Sequence, residues 1–141
     1  MILILLIAAI FGFVLSTTLF FKKSTNTVAT RILGSFYFLL SVYALQAYII
    51  DGGYLRYFKW FFLWPLLSHH LIFIPIYYYF KAILNDKLKW NKAELILFIP
   101  FLLGLIDVIY IYLQPANVYE DIISEAIYSP ETRLNAQYWL L

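Results

Sequence analysis

The sequence predicts an all-α fold, a polytopic transmembrane helix bundle, and two observations lead to this prediction. Hydrophobic residues make up 64% of the 141 residues and charged residues only 13%, whereas about 25% of the residues of a soluble domain are charged. The apolar residues also form four long stretches, which lack the polar stripe that recurs about every 3.6 residues in the helices of a soluble bundle. Lipid is therefore the expected surrounding of these stretches.

The four stretches have the length that a membrane-spanning helix needs. A helix that rises ~1.5 Å per residue crosses a ~30 Å hydrocarbon core with about 20 residues. The predicted spans cover residues 1–21, 32–50, 60–80 and 95–113. The first stretch is not expected to be a cleaved signal peptide, because its first basic residue, Lys22, follows the apolar run instead of preceding it.

The orientation of the bundle follows from the basic residues in its connections. The connection 22–31 contains three lysine or arginine residues and the connection 81–94 contains four, whereas the connection 51–59 contains two and the tail 114–137 contains one. Cytoplasmic loops of membrane proteins are enriched in these residues. We therefore expect a multi-pass membrane protein with its N-terminus outside the cytoplasm.

The tail has a more polar character than the rest of the chain. Residues 117–128 alternate apolar and acidic positions with helical spacing, which predicts a short amphipathic helix on the extracytoplasmic side. Residues 130–141 begin with proline and end in Tyr-Trp-Leu-Leu, as the start of a fifth span would. Residues 1–141 are thus expected to be one transmembrane domain and the N-terminal part of a longer protein, whose fifth span leads back to the cytoplasm. The alternative is that the last residues anchor the tail on the membrane surface.

A few polar residues and prolines inside the predicted spans are candidates for function. Asp107, His69, His70 and Gln46 are expected to face the bundle interior, because a charged group at mid-membrane costs about 2.5–3.5 kcal/mol on insertion scales. They can bind a small-molecule ligand or sense a signal, since histidine titrates near neutral pH; the alternative is a structural hydrogen bond between helices. Two further residues, Pro75 and Pro100, are predicted helix kinks because proline lacks a backbone N–H.

Two short runs resemble a known family. Residues 74–81 read Ile-Pro-Ile-Tyr-Tyr-Tyr-Phe-Lys and residues 95–101 read Leu-Ile-Leu-Phe-Ile-Pro-Phe. Together with the order of spans, they resemble the N-terminal membrane region of bacterial membrane-anchored AraC-type transcriptional regulators, although Ile74 replaces the usual glycine and Leu97 the usual histidine. The resemblance implies a location in a bacterial inner membrane and a cytoplasmic helix-turn-helix domain after residue 141.

The expected function is a sensory membrane module of such a regulator, which transmits an extracytoplasmic or membrane signal to that DNA-binding domain. The sequence contains no enzyme motif, and we expect no catalysis, no cofactor, no metal and no nucleic acid contact from this chain. The expected partner is the lipid bilayer, and a small-molecule ligand and a homo-oligomer remain open. The alternatives are a fragment of a small-solute transporter or channel and a membrane assembly protein.

Overall fold

The computed structural model describes residues 2–61, 63, 69–84 and 91–128, without the side chains of 126–128. Within these ranges the protein is all-helical and has no strand, as predicted. Three short 3-10 segments connect or extend the α-helices. The α-helices are α1 (Ile2–Phe21), α2 (Thr27–Asp51), α3 (Phe73–Leu84), α4 (Ile99–Tyr112) and α5 (Ala116–Tyr128), and the 3-10 segments are Tyr54–Arg56, Lys59–Phe61 and Lys92–Phe98.

Three helical segments of the described chain are long and apolar enough to cross a membrane. They are Ile2–Phe21, Thr27–Asp51 and Lys92–Tyr112, the last of which joins a 3-10 segment to α4. They correspond to the first, second and fourth predicted spans, so the prediction of a membrane protein is confirmed at this level. The third predicted span, 60–80, falls partly outside the described residues, and the start of a fifth span at 130–141 lies wholly outside them.

The helices α1 and α2 form a closely packed antiparallel hairpin because small residues face each other. The Ser16 hydroxyl is buried and donates a hydrogen bond of 2.8 Å to the backbone oxygen of Gly34. A Cβ atom added at Gly12 would lie 2.2 Å from the Ser41 hydroxyl oxygen. Small residues at such positions let two helix backbones approach closely, which is how membrane helices associate without a hydrophobic driving force.

The outer face of α1 offers lipid an apolar surface. Only Ala9 and Ser16 are buried in this helix of 20 residues. The hydroxyls of Thr17 and Thr18 donate hydrogen bonds of 2.8 Å to the backbone oxygens four residues earlier in the same helix. Both hydroxyl donors are therefore satisfied within the helix, which is necessary in lipid because no water is available there.

The two ends of the bundle are held by different contacts. At one end, the Asn26 amide caps α2 through the Ala29 N–H and also donates a hydrogen bond of 2.9 Å to the backbone oxygen of Ala82. The first and third connections therefore begin at the same end. At the other end, the Tyr112 hydroxyl donates a hydrogen bond of 3.1 Å to the backbone oxygen of Trp60, so the second connection lies beside the end of α4.

Helix α5 covers the predicted amphipathic segment 117–128 and packs against this second end of the bundle. Its extracytoplasmic position stays a prediction. Its Ile123 is fully buried in a cluster with Leu55, Leu63 and Val108. Its acidic residues lie on the exposed side, where Glu120 is 4.0 Å from the amine of Lys59. The segment forms a helix at this place because a helix buries its apolar face against the bundle and leaves its acidic face exposed.

The two interior prolines stand at interruptions of regular α-helix. Pro75 lies in the first turn of α3, just after a turn at Ile72, whose N–H bonds to the His69 oxygen at 3.3 Å. Pro100 lies in the first turn of α4, where the preceding 3-10 segment ends. The absent proline N–H suits a first helical turn, which leaves that donor unused. A kink at either residue stays a prediction.

Candidate functional site

A ring contact joins α2 to the chain that enters α3, about one helical turn from a buried glutamine of α2. Gln46 is buried with 2% of its surface exposed. Tyr43 lies three residues earlier on α2 and therefore on the same helix face. The ring of His69 meets the Tyr43 ring edge-on, with centroids 4.6 Å apart and planes at 80°. Of the four predicted sensing residues, Gln46 thus lies on this face of α2, and His69 contacts the same face through Tyr43.

The other two predicted residues are placed differently. His70 is half-buried beside His69, and adjacent helical side chains point in different directions. Asp107 is half-buried on α4. Within the described residues, no hydrogen bond or ion pair joins the Asp107 carboxylate to His69, His70 or Gln46. The structure therefore does not assemble the predicted set into one hydrogen-bonded group, and a role in sensing stays a prediction for each residue.

A second polar cluster, which the sequence did not predict, joins α3 to the start of the segment that contains α4. Lys81 and Glu94 form an ion pair whose side chains are only 18% and 11% exposed. The hydroxyls of Tyr78 and Tyr77 also donate to the Glu94 carboxylate, at 3.0 and 3.3 Å. We call these four residues the Glu94 cluster. Its carboxylate accepts from three side chains, which is the kind of satisfied network that a buried charge requires.

The Glu94 cluster lies at the same end of the bundle as the first connection. Lys81 precedes Ala82, the residue whose backbone oxygen accepts from Asn26. In the sequence, Lys81 is one of four basic residues in the connection 81–94. The only feature of the sequence that pointed to the pairing of Lys81 with Glu94 was the run of tyrosines just before Lys81. A tyrosine hydroxyl and a nearby lysine amine can donate to the same carboxylate.

The chemistry available to these groups is polar recognition and proton binding. In the part of the chain that the structure describes, no three histidine, cysteine, aspartate or glutamate side chains lie close enough to hold a metal ion. The groups present are an amide, imidazoles, phenols and one ion pair. They suit hydrogen bonding to a small polar ligand or a change of charge at a histidine.

Comparison of the chain with models of protein families, with curated proteins and with solved structures finds no significant match.

Proposed function

We propose that this chain is the membrane-embedded sensory module of a bacterial transcriptional regulator. It receives a signal at the polar groups between α2 and α3 and transmits it to a cytoplasmic DNA-binding domain that follows residue 141. One observation carries the proposal: α3 connects two polar contacts, that of His69 with Tyr43 before the helix and that of Lys81 with Glu94 in its last turn. A helix fixed at both ends in this way can couple them.

The coupling needs no long rearrangement. Helix α3 has 12 residues, and at ~1.5 Å per residue it spans about 18 Å. Protonation of His69 or binding of a ligand beside Gln46 changes the contact with α2, and the turn at Ile72 separates this contact from the rigid part of α3. Displacement of α3 then acts on the Glu94 cluster at the opposite end, where the sequence has most of its basic residues.

The proposed orientation puts the N-terminus outside the inner membrane and the first and third connections in the cytoplasm. It is supported by the hydrogen bond from Asn26 to Ala82, which brings these two basic connections to one end. The positive-inside rule assigns that end to the cytoplasm. Helix α5 then lies on the extracytoplasmic side.

Single cysteines test this orientation, because the natural sequence contains no cysteine. Asn117→Cys in α5 should react with a membrane-impermeant maleimide in cells whose inner membrane is intact. Thr25→Cys in the first connection should react only after the inner membrane is permeabilised. Both residues are exposed in the structure, so the label measures the side of the membrane and not burial.

A lipid-facing cysteine is the matched control for labelling. Phe11 is 67% exposed but lies in the middle of α1, so Phe11→Cys should stay unlabelled in both conditions. Labelling of Thr25→Cys in intact cells, with Asn117→Cys protected, would reverse the proposed orientation.

The sensory function is tested in cells by replacing the chromosomal gene. His69→Phe keeps a ring against Tyr43 but removes the titratable nitrogen atoms. We expect it to change the transcripts of the same gene set that responds to deletion of the whole gene. Tyr110→Phe, which removes one hydroxyl from an exposed position of α4, is the control and should leave these transcripts unchanged.

Two results would contradict the sensory proposal. One is that the reading frame beyond codon 141 encodes no helix-turn-helix domain and that deletion of the gene leaves all transcripts unchanged. The other is a loss of solute uptake in the deletion strain at constant transcript levels, which would favour the transporter alternative.

A further inference from the structure

Two shallow, open apolar grooves run along the surface of the last turns of α1, on either side of a ridge formed by Thr17 and Phe21. Their volumes are about 600 and 650 Å³. The first groove extends from Phe13 to Lys22, and the second passes Phe20 and ends at Arg31 of α2. The grooves share the ridge residues, and each has a basic residue at the end that adjoins the first connection.

The walls of the grooves suit hydrocarbon. The hydroxyls of Thr17 and Thr18 are bonded to the backbone oxygens of Phe13 and Val14, so they offer a ligand little polarity. The remaining wall is largely aromatic. A polar ligand would lose its hydrogen bonds with water there without replacement, whereas an acyl chain has none to lose.

The basic residues at the groove ends lack acidic partners. Lys22, Lys23 and Arg31 are all exposed at the basic end of the hairpin. Among the described residues, the ion pairs are Lys59 with Glu120 and Lys81 with Glu94. No described carboxylate therefore neutralises the three cations, which leaves this end complementary to an anion at the membrane surface.

We propose that the two grooves hold the two acyl chains of one anionic phospholipid, whose phosphate is bound by Lys22 and Arg31. The lipid straddles the ridge of Thr17 and Phe21. The first groove covers nine residue steps of helix, or ~13 Å at ~1.5 Å per residue, which is close to half of a ~30 Å hydrocarbon core. The site therefore spans one leaflet, the leaflet at the basic end of the bundle.

The headgroup preference follows from charge. The headgroup of a zwitterionic lipid contains a positive group as well as the phosphate, so the basic residues attract it only weakly. An anionic headgroup brings only negative charge, and basic residues near such a surface bind it more strongly at low than at high ionic strength. The site is independent of the proposed sensory function, because none of its residues contacts His69 or the Glu94 cluster through a hydrogen bond or ion pair within the described chain.

Native mass spectrometry of the purified full chain in detergent tests the site. The probes are dioleoyl-phosphatidylglycerol and dioleoyl-phosphatidylcholine at equal concentration, which differ only in headgroup. We expect the anionic lipid to bind preferentially. Lys22→Gln and Arg31→Gln should each weaken its binding about fivefold, the equivalent of ~1 kcal/mol per basic residue near an anionic surface, and Arg31→Lys should restore most of it.

Two controls separate a built site from general attraction and from nonspecific lipid adhesion. Arg56→Gln removes the same charge at the opposite end of α2 and should leave binding unchanged. Thr17→Trp fills both grooves without altering charge and should abolish the preference, whereas Ala8→Trp on the same helix outside the grooves should not. Equal binding of the two lipids, an equal loss in Arg56→Gln, or unchanged binding in Thr17→Trp would each overturn the proposal.

Discussion

Replacement of Gly12 by leucine is expected to lower the free energy of unfolding by about 1–3 kcal/mol, the usual cost of inserting side-chain volume into a packed interface. The reason is the hairpin of α1 and α2. The first added carbon would lie 2.2 Å from the Ser41 hydroxyl oxygen. That hydroxyl cannot easily turn away, because it is buried and donates a hydrogen bond of 2.6 Å to the Tyr37 backbone oxygen. The helices must therefore separate.

The measurement is a titration with a denaturing detergent, followed by tryptophan fluorescence, of protein purified in a mild detergent. Ala8→Leu is the matched control, because it adds a leucine to the exposed side of the same helix and should change stability by less than ~0.5 kcal/mol. Equal stability of Gly12→Leu and Ala8→Leu would mean that α1 and α2 do not pack through their small residues in the folded protein.

Replacement of Glu94 by glutamine is expected to destabilise the protein more than replacement of the exposed Glu120 does, because it breaks an ion pair whose side chains are only 18% and 11% exposed. The substitution keeps the shape of the side chain and removes its charge. Lys81, whose side chain is only 18% exposed, then loses the Glu94 carboxylate as its ion-pair partner, and the two tyrosine hydroxyls face a weaker acceptor. The same detergent titration measures the loss.

The exposed ion pair of the molecule provides the control for this substitution. Glu120 is 4.0 Å from Lys59, and their side chains are 67% and 42% exposed, so Glu120→Gln should cost less than ~1 kcal/mol. Adding Lys81→Met to Glu94→Gln should give a variant more stable than Glu94→Gln alone, since the cation that Glu94 neutralised is then absent. A loss in Glu94→Gln no larger than that in Glu120→Gln would contradict the importance of the Glu94 cluster.

Three of the four predicted spans could be recognised from the sequence because their signal is local. An apolar run long enough to cross a membrane is present in each of Ile2–Phe21, Thr27–Asp51 and Lys92–Tyr112. Such a run indicates a membrane helix whatever residues surround it. The amphipathic helix α5 was predictable for a similar reason, since the spacing of its apolar residues matches one turn of helix. The burial of Gln46 also follows from a polar residue placed within an apolar span.

The contacts between distant residues were not predictable in the same way. Lys81 and Glu94 are 13 positions apart, and their pairing depends on how α3 approaches the 3-10 segment Lys92–Phe98. A lysine in a connection looks identical in the sequence whether it is solvated or paired. A contact between Asp107 and the histidines depends on helix packing in the same way, so residue type alone leaves it a prediction.

The close packing of α1 and α2 bears on how the protein is made. All contacts of this hairpin lie within the first 51 residues, and only five residues separate its two helices. Contacts of such short sequence separation form quickly, and chains begin to fold from the N-terminus during synthesis. We therefore expect α1 and α2 to insert into the bilayer as a folded hairpin. Helix α3 then packs against this hairpin after it has left the ribosome.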